Sequence, residues 1–217
     1  QGLAQRNFLA YARGMEASAD QAALKYLTAT GQSARGMITL FEKLARQSIA
    51  TLKNVDPYVM SHPMPMDRIR NLEIAAKKSK FYNVKDSPAL VLRHELVQAK
   101  LTGFIGGPQA VMQRYPSSDQ SMPARYARAI AMFRKGDIKN ALPVIDSLTA
   151  ELPENPYFWE LKGQALLENA RAAEAVAPLQ KALKLLPNNG LIQILTAQAL
   201  IDTDKPANAA QAVKLLK

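Results

Sequence analysis

Apolar residues recur at three- and four-residue spacing along most of the chain, so nearly every segment reads as helix. Phe8, Tyr11, Met15, Ala19, Ala22, Ala23 and Tyr26 form one such stripe and predict a helix from about Leu3 to Thr30. Gly31 closes it, because glycine tolerates the left-handed conformation in which helices often end. Ser33 is placed to cap a second helix carrying Met37, Leu40, Phe41, Leu44 and Ile49. Between Asp56 and Pro65 the pattern breaks. Pro57, Pro63 and Pro65 forbid a helix interior there and predict a stiff loop. Helix resumes near Met66, with Ile69, Leu72 and Ala76 on one face. Ser87-Pro88 opens a further helix with Leu90, Leu92, Leu96 and Leu101. Gly103, Gly106, Gly107 and Pro108 interrupt it, and a short helix runs to Tyr115. The polar, turn-rich stretch from Pro116 to Pro123 marks a sub-domain boundary.

Beyond that boundary the sequence repeats. Pro153 and Pro187 are 34 residues apart, each preceded by Leu and followed two residues later by Asn155 or Asn189. With Pro156 as first position, the fourth is Trp159, the eighth Gly163, the eleventh Leu166, the twentieth Ala175, the twenty-seventh Ala182 and the thirty-second Pro187. One unit earlier, from Met122, the same positions hold Arg125, Ala129, Met132, Ala141, Leu148 and Pro153. One unit later, from Gly190, they hold Gln193, Ala197, Leu200, Ala209 and Leu216. This pattern resembles the tetratricopeptide consensus. Small residues at the eighth and twentieth positions let two helices approach, a large fourth residue fills the gap to a neighbour, and the proline ends the second helix. One unit cannot bury its own apolar face, so units stack into a surface that binds proteins or peptides. Pro88 to Tyr115 matches the small-residue positions poorly and reads as linking helices, with a degenerate repeat as the alternative.

Composition narrows the function classes. No run of eighteen apolar residues exists, so no transmembrane segment is expected. Cysteine is absent, which excludes disulfides and thiol chemistry and is compatible with periplasm or cytosol. The formal net charge of +10 is dispersed, with +6 of it in residues 1–80. Its densest run is Lys77, Lys78 and Lys80, which reads as a solvated helix end rather than as a nucleic-acid site, since that would need stacking aromatics among clustered cations. The chain opens on Gln1 and runs at once into an amphipathic pattern, which reads as a piece of a longer protein.

Candidate chemistry is confined to the first third. Glu16 and Asp20 are four apart on the first predicted helix and share a face. Two such carboxylates are ordinarily a solvated stripe, but the surrounding strings add to this pair. Residues 13–31 place Glu16 ahead of Ala19-Asp20 and an aliphatic helix, Phe41 and Leu44 follow, and Ser61-His62-Pro63 precedes Asp67-Arg68-Ile69. Three weak motifs in this order, followed by repeats, resemble the C-terminal part of a zinc metallopeptidase of the HtpX/BepA type. The resemblance covers roughly Phe8 to Leu72. It implies that Glu16 is the third protein ligand of a catalytic zinc in the intact protein. A carboxylate beside two imidazoles leaves the fourth position for water. It implies further that Asp20 accepts a hydrogen bond from a zinc-bound histidine and fixes its tautomer. His62 would sit near the cleft, where it could touch substrate or metal; the other reading is a loop histidine capping backbone carbonyls. Arg68 reads as an electrostatic anchor for the loop.

The departure from that family concerns activity. Its His-Glu-x-x-His helix, which supplies two zinc ligands and the general base, belongs upstream of Glu16 and is not in this chain. His94-Glu95-Leu96-Val97-Gln98 imitates the start of that motif, but Gln98 stands where the second histidine is required, and it reads as coincidence. No catalytic residue, cofactor or peptidase activity is therefore expected of this fragment itself.

The expected fold class is all-α. Residues 1–80 are the C-terminal helical part of a metallopeptidase domain, 81–121 the linking helices, and 122–217 a tetratricopeptide-type α-solenoid. The implied function is that of a zinc-dependent endopeptidase of bacterial envelope quality control, periplasmic, whose repeats bind substrates or partner proteins. The alternative is a non-enzymatic tetratricopeptide adaptor or assembly co-chaperone, which leaves the order of Glu16, Asp20 and His62 unexplained. No nucleic acid is expected as a partner; a steep salt dependence of binding would have to show otherwise.

Overall fold

The computed structural model describes residues 3–51 and 66–216, with side chains at residues 8, 10–46 and 66–216. Pro57, His62, Pro63 and Pro65 lie outside the described residues. Every regular element among the described residues is an α-helix, so the fold is all-α. The chain divides into two compact units, Gln1–Pro88 and Ala89–Lys217.

The first unit holds α1 (Leu3–Ala29), α2 (Arg35–Thr51) and α3 (Met66–Ala76). Gly31 ends α1 as expected, with φ +73°, and Gln32 N–H reaches back to the Leu27 carbonyl at 2.8 Å. Ser33 Oγ accepts the Arg35 N–H at 3.2 Å and donates to the Tyr82 carbonyl at 2.5 Å, so it caps α2 and ties down the turn after α3. The core is Leu24 from α1, Ala34, Ile38 and Ala45 at the α2 side, and Ile69, Leu72 and Ala76 from α3.

The large apolar residues of the α1 stripe are not the ones that pack. Phe8, Tyr11, Met15 and Tyr26 are all more than half exposed, whereas Asp20 and Leu24 are buried. A helix of 27 residues touched by shorter neighbours buries one strip only, and here the strip follows Asp20, Leu24 and Leu27. On α2 likewise the packed positions are Ile38, Phe41 and Ala45, with Leu40 and Leu44 exposed.

The second unit holds α4 (Pro88–Ile105), α5 (Pro108–Arg114) and three helix pairs: α6 (Met122–Arg134) with α7 (Ile138–Glu151), α8 (Pro156–Leu167) with α9 (Ala172–Leu185), and α10 (Gly190–Ile201) with α11 (Pro206–Leu215). The first helices of the pairs start 34 residues apart, as do the second helices. The backbone repeats with the same period. Gly136, Ala170 and Asp204, each 34 residues from the next, turn the chain between paired helices with φ +82°, +57° and +54°. Asn155 and Asn189 cap α8 and α10 by accepting the Tyr157 and Ile192 N–H at 3.0 and 3.1 Å.

Packing inside the pairs follows the small positions. A Cβ on Gly163 would lie 2.3 Å from Leu179 Cγ, so α8 and α9 meet at hydrogen-only distance there. Ala129, Ala141, Ala175, Ala182 and Ala197 are buried. The expectation fails in the last pair, where Ala209 and Leu216 are exposed and Ala212 is the buried residue. Ala175 shares a buried cluster with Ala199 of the following helix, α10, and among the described residues no helix follows α11. The fourth positions hold the inter-helix turns. Trp159 Nε1 donates to the Pro153 carbonyl at 2.8 Å, Gln193 Nε2 to Pro187 at 3.0 Å and Arg125 Nε to Gln120 at 3.2 Å.

Gly103 does not interrupt α4 but lies inside it. Its missing side chain admits Ile130 of α6, whose Cβ would be 2.8 Å from an added methyl. Phe104 meets Phe133 edge-on at 6.4 Å, and Lys100 Nζ reaches the buried Glu160 of α8 at 2.7 Å.

Candidate functional site

α1 sets Glu16 and Asp20 one turn apart on the side that faces α3. α3 brings Arg68 against both. Arg68 Nε donates to Asp20 Oδ2 at 2.6 Å and Nη2 to Asp20 Oδ1 at 2.7 Å, a two-point fork that fixes the guanidinium plane. Nη2 also lies 2.9 Å from Glu16 Oε2. Phe41 of α2 closes one face of the guanidinium, 5.3 Å from ring centroid to Cζ.

Burial makes this cluster more than a surface ion pair. The Arg68 side chain is 13% exposed, Asp20 8% and Glu16 26%. Charges so withdrawn from water persist only when paired, and Arg68 answers both carboxylates at once. The Asp20 hydrogen bonds hold the Arg68 pKa above its ordinary value, against the opposing pull of burial. Arg68 Nη1 is buried without a hydrogen-bond partner among the described residues. The three side chains line a cleft of about 210 Å³ together with Arg13, Gln21 and Asn71.

The structure thus brings Glu16 and Asp20 together as the spacing implied. His62 lies outside the described residues. Arg68, read in sequence as an anchor for the loop, has its described partners on α1. What sequence reasoning missed is this bridge. Its signal was present in two acidic residues on one apolar helix and one arginine next to Ile69 at the start of another. His94 is exposed on α4, with Gln98 one turn on at 2.5 Å and Arg114 bonded to the same Gln98.

Among the described residues no group of three or more His, Asp or Glu is placed to hold a metal. The donor chemistry fits one arm of a zinc shell. Glu16 is a hard oxygen donor, three-quarters buried, on the wall of a cleft, with one oxygen already oriented by Arg68. Further ligands for a tetrahedral ion would have to come from outside the described residues.

Residues 1–76 match the model of peptidase family M48, and they end with α3, so the match takes in Glu16, Asp20 and Arg68 together. Over these residues the N-terminal unit is similar to peptidase family M48. Beyond the M48 segment the likeness continues into the helix pairs. Over 98% of its length the chain is 23% identical to a beta-barrel assembly-enhancing protease of Yersinia pestis, of which it covers 44%. Over 95% of its length it is 22% identical to the protease of that name from Escherichia coli K12, of which it covers 42%. The chain therefore spans less than half the length of these relatives. No solved structure matches it. No helix among the described residues is long and apolar enough to cross a membrane.

Proposed function

We propose that this chain is the C-terminal portion of a zinc-dependent endopeptidase that acts in protein quality control of the bacterial envelope, in the periplasm. The observation that carries the reading is the buried Glu16–Arg68–Asp20 cluster on the wall of a cleft, inside the segment that matches M48. Such a cluster adds little net stability, because the desolvation of two carboxylates and a guanidinium nearly cancels their attraction, which favours a functional over a stabilising role.

In this reading Glu16 is the protein's third zinc ligand, and two imidazoles and the general base come from a His-Glu-x-x-His helix absent from this chain. When bound, zinc would lower the pKa of its water and polarise the scissile carbonyl. The chain's own residues hold and orient. Glu16 presents an oxygen to the cleft, and Arg68 neutralises it from behind. Each Asp20 oxygen has a lone pair beyond the one given to Arg68, so Asp20 retains the capacity to accept the N–H of a metal-bound histidine. By the family resemblance His62 would serve substrate or metal near the cleft, the other reading being a loop histidine that caps backbone carbonyls. The fragment alone neither binds zinc tightly nor cleaves peptides.

The three helix pairs are tetratricopeptide repeats in this reading, stacked into a solenoid that recruits substrates or an envelope assembly complex. Their 34-residue period in helix starts, left-handed turn residues and capping asparagines supports this. The relatives' name, with its reference to β-barrel assembly, supports the envelope setting.

The experiment is to take the coding sequence upstream of Gln1 and express the extended protein. A His-Glu-x-x-His segment some tens of residues before Gln1, cleavage of an unfolded protein substrate by the extended form and loss of that cleavage in Glu16→Gln are expected. Absence of the motif sinks the reading in favour of an adaptor.

A further inference from the structure

We propose that Arg68 is a positioning residue: braced by Asp20, its guanidinium fixes the Glu16 carboxylate in the orientation in which it serves as a ligand. The proposal rests on the reading of Glu16 as a zinc ligand, and it assigns Asp20 a task additional to holding a histidine.

The geometry divides the work. Nε and one Nη2 hydrogen are spent on the two oxygens of Asp20, at 2.6 and 2.7 Å. That fork removes rotation of the guanidinium about its own axis. The same Nη2 lies 2.9 Å from Glu16 Oε2, so the nitrogen held by Asp20 also makes the ion pair with Glu16. Phe41 blocks one face of the plane, and Ile69 and Leu72 on the same helix anchor α3 in the core. Each member of the chain is thus more buried or more constrained than the next. Asp20 is least exposed, Arg68 intermediate and Glu16 most exposed, towards the cleft. A glutamate on a helix has three rotatable side-chain bonds, and the ion pair with Arg68 narrows the directions its carboxylate takes. A ligand held in one direction by a partner behind it loses less freedom when it binds a metal.

Lysine cannot substitute. An ammonium is a point donor on a flexible stem and cannot bond both Asp20 oxygens in plane while pairing with Glu16 from a fixed position. This separates positioning from charge balance, which lysine would preserve.

The test is zinc affinity of the intact, upstream-extended protein, measured by competition with a chromophoric chelator, for wild type, Arg68→Lys, Arg68→Met and Asp20→Asn. Helical content and thermal unfolding are recorded for each, so that affinity refers to folded protein. The proposal expects Arg68→Met and Arg68→Lys both to bind zinc about 10–100-fold more weakly than wild type, as removal of a partner behind a ligand typically does. It also expects kcat for peptide cleavage to fall with KM little changed. Folded Arg68→Met within twofold of wild type overturns it. Full recovery in Arg68→Lys also overturns it, since charge alone would then suffice. If Arg68→Met does not fold, Arg68→Lys and Asp20→Asn decide: weakened zinc in both supports the brace, and wild-type affinity in Arg68→Lys refutes it. A wild-type protein that binds no zinc removes the reading of Glu16 and this proposal with it, a result distinct from the others.

Discussion

Gly163 and Ala170 sit seven residues apart and show opposite constraints. Gly163 has no room for a methyl group, because Leu179 occupies the place where its Cβ would be. Gly163→Ala is expected to destabilise by about 1–3 kcal/mol, the usual cost of overpacking a filled core, and urea unfolding would read it. Ala170 has room but the wrong backbone, with φ +57°. An L-residue with a Cβ pays about 1 kcal/mol in that conformation, so Ala170→Gly is expected to gain up to about 1 kcal/mol in the same assay. Gly163 was legible in sequence as a small position of the repeat. Ala170 was not, since nothing in an alanine announces a left-handed turn; only the 34-residue equivalence with Gly136 does so. Arg68 was half legible. Its sequence context marked it as electrostatic, but a single chain of letters does not say which carboxylates it meets.

At the scale of elements, periodicity located the helices well and their buried faces less well. The capping residues Gly31, Ser33, Asn155 and Asn189 act locally, through hydrogen bonds to neighbouring backbone, and local chemistry is what sequence encodes most directly. Burial on α1 is a tertiary outcome, and the apolar stripe of Phe8, Tyr11 and Met15 gives no hint that Asp20 and Leu24 would pack instead. Gly103 misled for a related reason. It reads as a breaker, yet it sits inside α4 because Ile130 needs the space. Pro143 and Pro178 likewise lie inside α7 and α9, where propensity alone would have ended a helix. The link from α4 to α8 gives an element-scale prediction. Glu160 is buried, and its ion-pair partner is Lys100, whose side chain is a third exposed. Lys100→Met is expected to cost about 2–3 kcal/mol, somewhat below a fully buried pair because water reaches the lysine side. The double variant Lys100→Met/Glu160→Gln should recover part of that in thermal unfolding. Equal stability of wild type and Lys100→Met would show that Glu160 finds water instead.

At the scale of the whole molecule, two units carry two kinds of information. The Gln1–Pro88 unit has the M48 match and a buried charge cluster on a cleft; the Ala89–Lys217 unit has helix pairs with a 34-residue period. The order of the two was legible because each has a short-range signature. The chemistry was legible only through resemblance, since Glu16 and Asp20 on spacing alone are an ordinary acidic stripe. The structure adds the physical reason to single them out, which is burial against one arginine. The account's central claim is that Glu16 is a zinc ligand in the intact protein. The most direct test is zinc content of the upstream-extended protein by elemental analysis, wild type beside Glu16→Gln, both shown to be folded. The account predicts one zinc per wild-type chain and a large loss in Glu16→Gln after dialysis. Equal zinc in the two proteins, or none in wild type, would contradict it.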